Sequence, residues 1–70
     1  SPAARFAQAA RAVVADDFET ALATLLALHQ TEPAYRHGLP RACLLALFEL
    51  LGGEHPLVRA TRQSMREGYR

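Results

Sequence analysis

Apolar residues recur with a helical period along the chain, and prolines, glycines and capping residues divide them into four segments. The clearest segment covers residues 18–31, where the residues opposite the apolar face are polar. Its apolar positions are Phe18, Ala21, Leu22, Leu25 and Leu28. Glu32-Pro33 ends the segment, because the residue before a proline is biased out of the helical region. The pattern therefore predicts an amphipathic second helix over residues 18–31.

Residues 41–53 form the most apolar segment, in which Glu49 is the only polar side chain between Arg41 and Gly52. Leu45 and Leu50 point away from the main apolar face, so this helix needs apolar neighbours on more than one side. The residues of the main face are Leu44, Leu47, Phe48 and Leu51. We therefore expect this third helix to be central and to be covered by the other three.

The first helix is predicted by its cap and its composition. Ser1 is a suitable N-cap, and Pro2 fits the first helical position, where its missing N–H costs nothing. Alanines dominate this helix and permit a neighbouring helix to approach closely. Asp16 and Asp17 interrupt it, and either carboxylate could cap the second helix.

Prolines and glycines also mark the ends of the last two helices. Pro40 suits the first turn of the third helix, and Gly52-Gly53 is expected to end that helix with a left-handed cap. His55-Pro56 suits the start of a fourth helix, which we expect to run to about Glu67.

The short connections at residues 15–17 and 52–55 fold neighbouring helices into antiparallel pairs. The predicted fold class is therefore all-α, with four helices in two stacked antiparallel hairpins. Seventy residues make one domain. A core of this size supplies on the order of 3 to 5 kcal/mol, so we expect marginal stability.

The charge balance changes this picture little. Eight arginines and seven acidic residues give a formal charge of +1 and are spread through the chain, which disfavours a general binder of nucleic acid. The single cysteine, Cys43, cannot form an internal disulfide, and no signal peptide or apolar run long enough for a membrane is present. We therefore expect a cytoplasmic location without membrane insertion.

No residue pattern points to catalysis. Cys43 lies in an apolar helix without the electropositive setting that activates a thiol, so we interpret it as an inert core residue. His29, His37 and His55 lack the spacing of a zinc site, and His55 is better explained as a helix start. The acidic residues fit helix caps or solvent-facing positions. We therefore predict no catalytic, metal-binding or cofactor-binding residues, and no enzyme activity.

The fourth helix carries a basic stripe on one narrow face, made of Arg59, Arg62, Arg66 and Arg70. Two interpretations remain open. The stripe is either a solvated face whose cations suit a helix C-terminus, or a surface that meets an acidic protein. Nucleic-acid binding is disfavoured because no aromatic stacking residues are interleaved.

Residues 17–33 resemble the second half of a tetratricopeptide repeat. The matching residues are Phe18, at the aromatic that opens the second helix of the repeat, Ala21, Leu25, Leu28 and the closing Pro33. The resemblance implies a tetratricopeptide-repeat-like fold.

Three stretches together resemble a narrower family, the C-terminal helical module of thioredoxin-like co-chaperones of the YbbN/CnoX type. They are Phe18 to Leu22, Leu44 to Gly52 and His55 to Val58. The resemblance implies that residues 1–70 are a single repeat-like domain at the C-terminal end of a larger thioredoxin-like protein. In that family the protein protects unfolded clients and passes them to a GroEL-type chaperonin.

The resemblance implies a module that binds client polypeptides or a GroEL-type chaperonin through apolar groups that a small core leaves exposed. The expected residues are Leu26, Val58, Met65 and Tyr69, with Arg59, Arg62 and Arg66 steering the module toward an acidic surface. The alternative is self-association as a homodimer, through the alanine face of the first helix and the apolar residues of the fourth.

Overall fold

The computed structural model describes residues 1–68 as four α-helices, with no strand in that range. Helix α1 spans Pro2–Val14, α2 spans Phe18–Thr31, α3 spans Leu39–Leu51 and α4 spans Pro56–Glu67. Helices α1 and α2 pack together as the first hairpin, and α3 and α4 form a second pair in which each helix packs mainly against α2. The predicted all-α fold class is therefore confirmed.

The helix ends use the capping groups that the sequence predicts. The Ser1 hydroxyl accepts a hydrogen bond of 3.2 Å from the backbone N–H of Ala4 at the start of α1. At the start of α4, His55 Nδ1 accepts one of 3.1 Å from the N–H of Leu57. Gly52 is the exception. It ends α3 with φ 93° and ψ 148°, so the expectation of a left-handed cap is corrected: its φ is positive, but its ψ is that of extended backbone. These contacts fix where each helix begins and ends.

Asp17, rather than Asp16, caps α2. Its carboxylate accepts a hydrogen bond of 3.2 Å from the backbone N–H of Thr20, whereas Asp16 has a φ of 57° and turns the chain out of α1. Hydrogen bonds from Thr20, chiefly from its side chain and then from its backbone, lower the pKa of Asp17 below the usual 3.8. The ionised carboxylate also suits the positive end of the helix dipole.

We expect the cap to make stability depend on acid pH. Because the pKa of Asp17 is lower in the folded chain, its ionised form stabilises the fold above pH 3.8, and this contribution is lost as the pH falls through the folded-state pKa. Asp17→Asn keeps a hydrogen-bond acceptor without the charge. The melting temperatures of the two proteins, followed by circular dichroism, should differ above about pH 5 and converge in stronger acid. A difference that persists unchanged in acid would contradict this assignment.

The helix that packs against all three others is α2, not α3 as the sequence suggested. Ala21, Leu22, Leu25 and Leu28 of α2 are all buried. In α3, by contrast, Leu45 and Leu50 are 40% and 67% exposed. The expectation of a central α3 is therefore corrected. Apolar content does not decide centrality, because no described helix covers the sides of α3 on which these two leucines lie.

The core is one continuous cluster to which every helix contributes. Its buried members are Ala9, Ala12, Ala21, Leu22, Leu25, Leu44, Leu47, Phe48 and Val58. The Cα atoms span 33 × 31 × 16 Å, so the molecule is flat and this core is thin. At the edge of the first hairpin, the Arg5 guanidinium donates a hydrogen bond of 3.0 Å to the Thr31 hydroxyl, which joins the start of α1 to the end of α2.

Candidate protein-binding surfaces

An open groove of about 290 Å³ lies between α1 and α3. Side chains from α1, α2 and α3 line it, and apart from the Cys43 thiol they are hydrocarbon. They are Phe6, Ala9, Ala10, Val13, Leu25, Cys43, Ala46 and Leu47. The groove exists because Ala10 and Ala46 are too short to fill the space between the two helices. We call this surface the α1–α3 groove.

Sequence reasoning missed the α1–α3 groove. The alanines of α1 were expected to let a neighbouring helix approach closely. This is true of α2, because Ala9 and Ala12 are buried. Toward α3, short side chains on both helices leave space instead. Phe6 is held at the groove by the ring of Tyr35, whose centroid lies 6.2 Å away. The sequence does show alanines on both α1 and α3. They leave a groove, however, only because the packing of the whole fold holds these two helices apart.

A second groove, of about 350 Å³, lies between α2 and α4 near their C-terminal ends. It contains Leu26 and Met65, two of the residues expected to bind protein, and both are half-buried. The remaining lining residues are His29, Gln30, Pro33 and Gly68. The fold therefore brings Leu26 and Met65 together although they lie on different hairpins. We call this surface the α2–α4 groove.

Val58 does not belong to either surface. Its side chain is completely buried in the core cluster, so the expectation that Val58 offers an exposed apolar group is corrected. The physical reason is its position on the face of α4 that packs against the other helices. Tyr69, the other expected residue near the end of α4, lies outside the described residues.

Three arginines of the basic stripe are exposed, and each contacts a neighbour within the chain. The fourth, Arg70, lies outside the described residues. Arg59 lies 3.7 Å from the Glu54 carboxylate, and Arg66 donates a hydrogen bond of 2.7 Å to the Gln63 side chain. The Arg62 guanidinium lies 5.0 Å from the centre of the Phe48 ring. These contacts orient the stripe without burying its charge, and none of the three arginines lines the α2–α4 groove.

In the part of the chain that the structure describes, the cysteine and two of the histidines have surroundings that explain them structurally. Burial raises the pKa of the half-buried Cys43 thiol, which keeps it protonated and therefore a poor nucleophile. His55 is used as a helix cap and His29 lines the α2–α4 groove. Within residues 1–68, no group of three histidine, cysteine or acidic side chains is placed to hold a metal ion.

The described helices are all shorter than a membrane span. The longest, α2, has 14 residues, whereas about 20 apolar residues are needed to cross a bilayer. No helix in residues 1–68 therefore combines the length and the apolar character of a transmembrane helix.

Comparison with protein-family models gave a match to this chain. The model described as "Tetratricopeptide repeat" matches residues 1–67, which include both hairpins. A search of curated proteins and a search of solved structures found no match.

Proposed function

The chain belongs to the tetratricopeptide repeat family, and we propose that it is a non-catalytic module that binds segments of other proteins. Helical repeats of this kind generally act by presenting an extended surface to a protein partner. The observation that carries the proposal is the α1–α3 groove, which is open to solvent and lined almost entirely by hydrocarbon. A groove of this chemistry gains free energy by taking apolar side chains out of water.

The size of the α1–α3 groove limits what it can bind. Its volume of about 290 Å³ lies near the lower end of ligand-binding pockets, so it suits a few apolar side chains of a short segment and not a whole domain. The groove has too few polar groups to distinguish one ligand sequence from another. We therefore expect modest affinity and broad selectivity for exposed apolar residues, as in a polypeptide that has not folded.

We further propose that residues 1–70 are the C-terminal domain of a cytoplasmic thioredoxin-like co-chaperone, and that its ligands are client polypeptides. Supporting this are the stretches at residues 18–22, 44–52 and 55–58, together with the apolar chemistry of the groove. Leu44, Leu47, Phe48 and Val58 in those stretches are buried, so they support a shared fold more directly than a shared partner.

A second surface is proposed for docking to a GroEL-type chaperonin. It combines Leu26 and Met65 of the α2–α4 groove with the exposed arginines of α4, and the sequence suggests Tyr69 as a further contact. Methionine adapts its shape to different partners, and the arginines Arg59, Arg62 and Arg66 would steer the module toward an acidic surface. Because exposed charges are screened by ions, docking by this route should weaken as the salt concentration rises.

Two alanines of α1 allow a matched test of client binding. Ala10 lines the α1–α3 groove and Ala7 does not, although both are exposed on the same helix. Ala10→Glu places a charge in the groove and should weaken binding of a labelled, permanently unfolded polypeptide by about tenfold or more, because the carboxylate must be desolvated when the apolar segment enters. Ala7→Glu should leave that binding nearly unchanged. Fluorescence anisotropy titrations would measure both.

Equal binding by the two variants would remove the α1–α3 groove from the proposal. No binding by the unchanged chain, or by a longer protein that contains it, would reject the client-binding function itself. Titration against a GroEL-type chaperonin at two salt concentrations tests the second surface separately. There, Ala10→Glu should behave like the unchanged chain, and docking that is absent or insensitive to salt would contradict the proposed arginine route.

A further inference from the structure

The outer face of α3 is exposed and has a regular composition. Arg41, Leu45 and Glu49 are spaced by four residues, so they follow one another along the same side of the helix. Ala42 and Ala46 lie beside them and are also exposed. Leu45 is 40% exposed, so the middle of this face offers an apolar side chain to a partner. We call these five residues the α3 outer face.

This face borders a shallow depression of about 910 Å³ between α3 and α4. Leu45, Ala42, Ala46 and Glu49 form one side of it, and Gly53 and Arg62 lie on the other. Ala42, Ala46 and Gly53 leave this space open because they carry short side chains or none, and Phe48 and Gly52 complete its lining. An apolar centre in a concave surface is the arrangement that a partner helix covers best.

The charges of the α3 outer face are placed so that the face is complementary to a second copy of itself. Helix α3 spans Leu39–Leu51, so Leu45 is its middle residue, and Arg41 and Glu49 stand four residues to either side. Within residues 1–68, neither Arg41 nor Glu49 forms an ion pair or a side-chain hydrogen bond. When two such helices lie antiparallel with their leucines level, each arginine meets the glutamate of the other helix.

We propose that a second copy of this chain covers the α3 outer face, with the two α3 helices antiparallel about a twofold axis at Leu45. A twofold interface must be complementary to itself, since the same residues occur on both sides. Arg41 then pairs with the partner's Glu49, and Glu49 with the partner's Arg41. Ala42 and Ala46 let the two helices approach closely. The overlap covers all 13 residues of α3, or about 20 Å at 1.5 Å per residue.

This surface differs from the one that the sequence suggested for self-association. The alanine face of α1 is already in use, because Ala9 and Ala12 are buried inside the molecule. The large apolar residues of α4, Leu57, Val58 and Met65, are buried or half-buried. The proposed dimer leaves Phe6, Ala10 and Val13 of α1 uncovered, but it shares Ala46 with the α1–α3 groove, so we expect dimerisation to narrow that groove on its α3 side. A single pair of helices makes a small interface, so the dimer should depend on concentration.

Charge reversal tests the proposed pairing directly. Arg41→Glu places two carboxylates opposite each other, and Glu49→Arg places two guanidinium groups opposite each other, so each should raise the dimer dissociation constant by about tenfold or more. The double variant restores opposite charges and should return the constant to within about threefold of the unchanged chain. An equimolar mixture of the two single variants should dimerise better than either alone. Sedimentation equilibrium over a range of concentrations would measure the dissociation constants of the two single variants, the double variant and the mixture.

Arg11→Glu is the matched control, because Arg11 is exposed on α1 and its reversal changes the net charge by the same amount. It should leave the dissociation constant unchanged. Circular dichroism would show whether each variant is folded. If a charge variant does not fold, Leu45→Gln takes its place, and the same loss of the dimer is expected. A chain that stays monomeric at every concentration would overturn the proposal. So would a dimer that the single reversals leave intact, or one that the double variant fails to restore.

Discussion

Replacing Leu22 with alanine should unfold a large fraction of the molecules at room temperature. Leu22 is 2% exposed and lies on α2, the helix that packs against all the others. Removing a buried leucine side chain costs about 2 to 5 kcal/mol, through lost apolar burial and the cavity left behind. A core of this size supplies only about 3 to 5 kcal/mol in total. The truncation therefore removes most of the stability of the fold.

Leu50→Ala is the matched control for this truncation. It is the same substitution on a helix, but Leu50 is 67% exposed, so its cost should stay within about 0.5 kcal/mol. Urea denaturation followed by circular dichroism would compare the two variants with the unchanged chain. If Leu22→Ala and Leu50→Ala shift the midpoint by similar amounts, α2 is not the centre of the fold.

The helices could be predicted from the sequence because their signals are local. Residues 18–31 were expected to form a helix, and α2 has those bounds. The start of α4 at Pro56 and its end at Glu67 were also anticipated. Each boundary depends on a proline or a capping side chain within a few residues of it, as His55 shows by accepting the N–H of Leu57. Such contacts need no information about the rest of the chain.

Centrality could not be predicted in the same way, because it depends on where the other helices lie. Residues 41–53 are more apolar than residues 18–31, yet Leu45 and Leu50 remain exposed while the smaller apolar set of α2 is buried. Ala21 illustrates the difference. It is completely buried, and its short side chain permits close packing that a count of large apolar residues does not register.

The candidate surfaces were only partly predictable for the same reason. Leu26 and Met65 were each recognised as apolar residues at the edge of their helix, but their meeting in one groove depends on the packing of α2 against α4. Val58 was expected to be exposed because a small core leaves apolar groups uncovered, but the fold places it in the core. The α1–α3 groove depends on the distance between two helices that are not adjacent in sequence.

Phe48→Ala should be the second severely destabilising change, with a cost of about 3 to 5 kcal/mol. Phe48 is 4% exposed and joins α3 to the core cluster that also contains Val58 of α4. Loss of the ring leaves a cavity in this core cluster on the side of α3 that faces α4. Urea denaturation would measure the cost, and a midpoint close to that of the unchanged chain would show that this contact does not hold α4 in place.

Phe48→Leu separates apolar burial from the interaction with Arg62. Leucine keeps most of the buried volume but offers no ring to the guanidinium, which lies 5.0 Å from the ring centre. A cation above an aromatic ring at a partly exposed site contributes about 0.5 to 1 kcal/mol. In a double-mutant cycle, Phe48→Leu and Arg62→Gln should therefore show a coupling energy of that order, whereas Phe48→Leu and Arg59→Gln should show none. Equal coupling energies in the two cycles would mean that Arg62 affects Phe48 no more than any other nearby positive charge does. The contact of Arg62 with the ring would then not stabilise the packing of α4 beside α3.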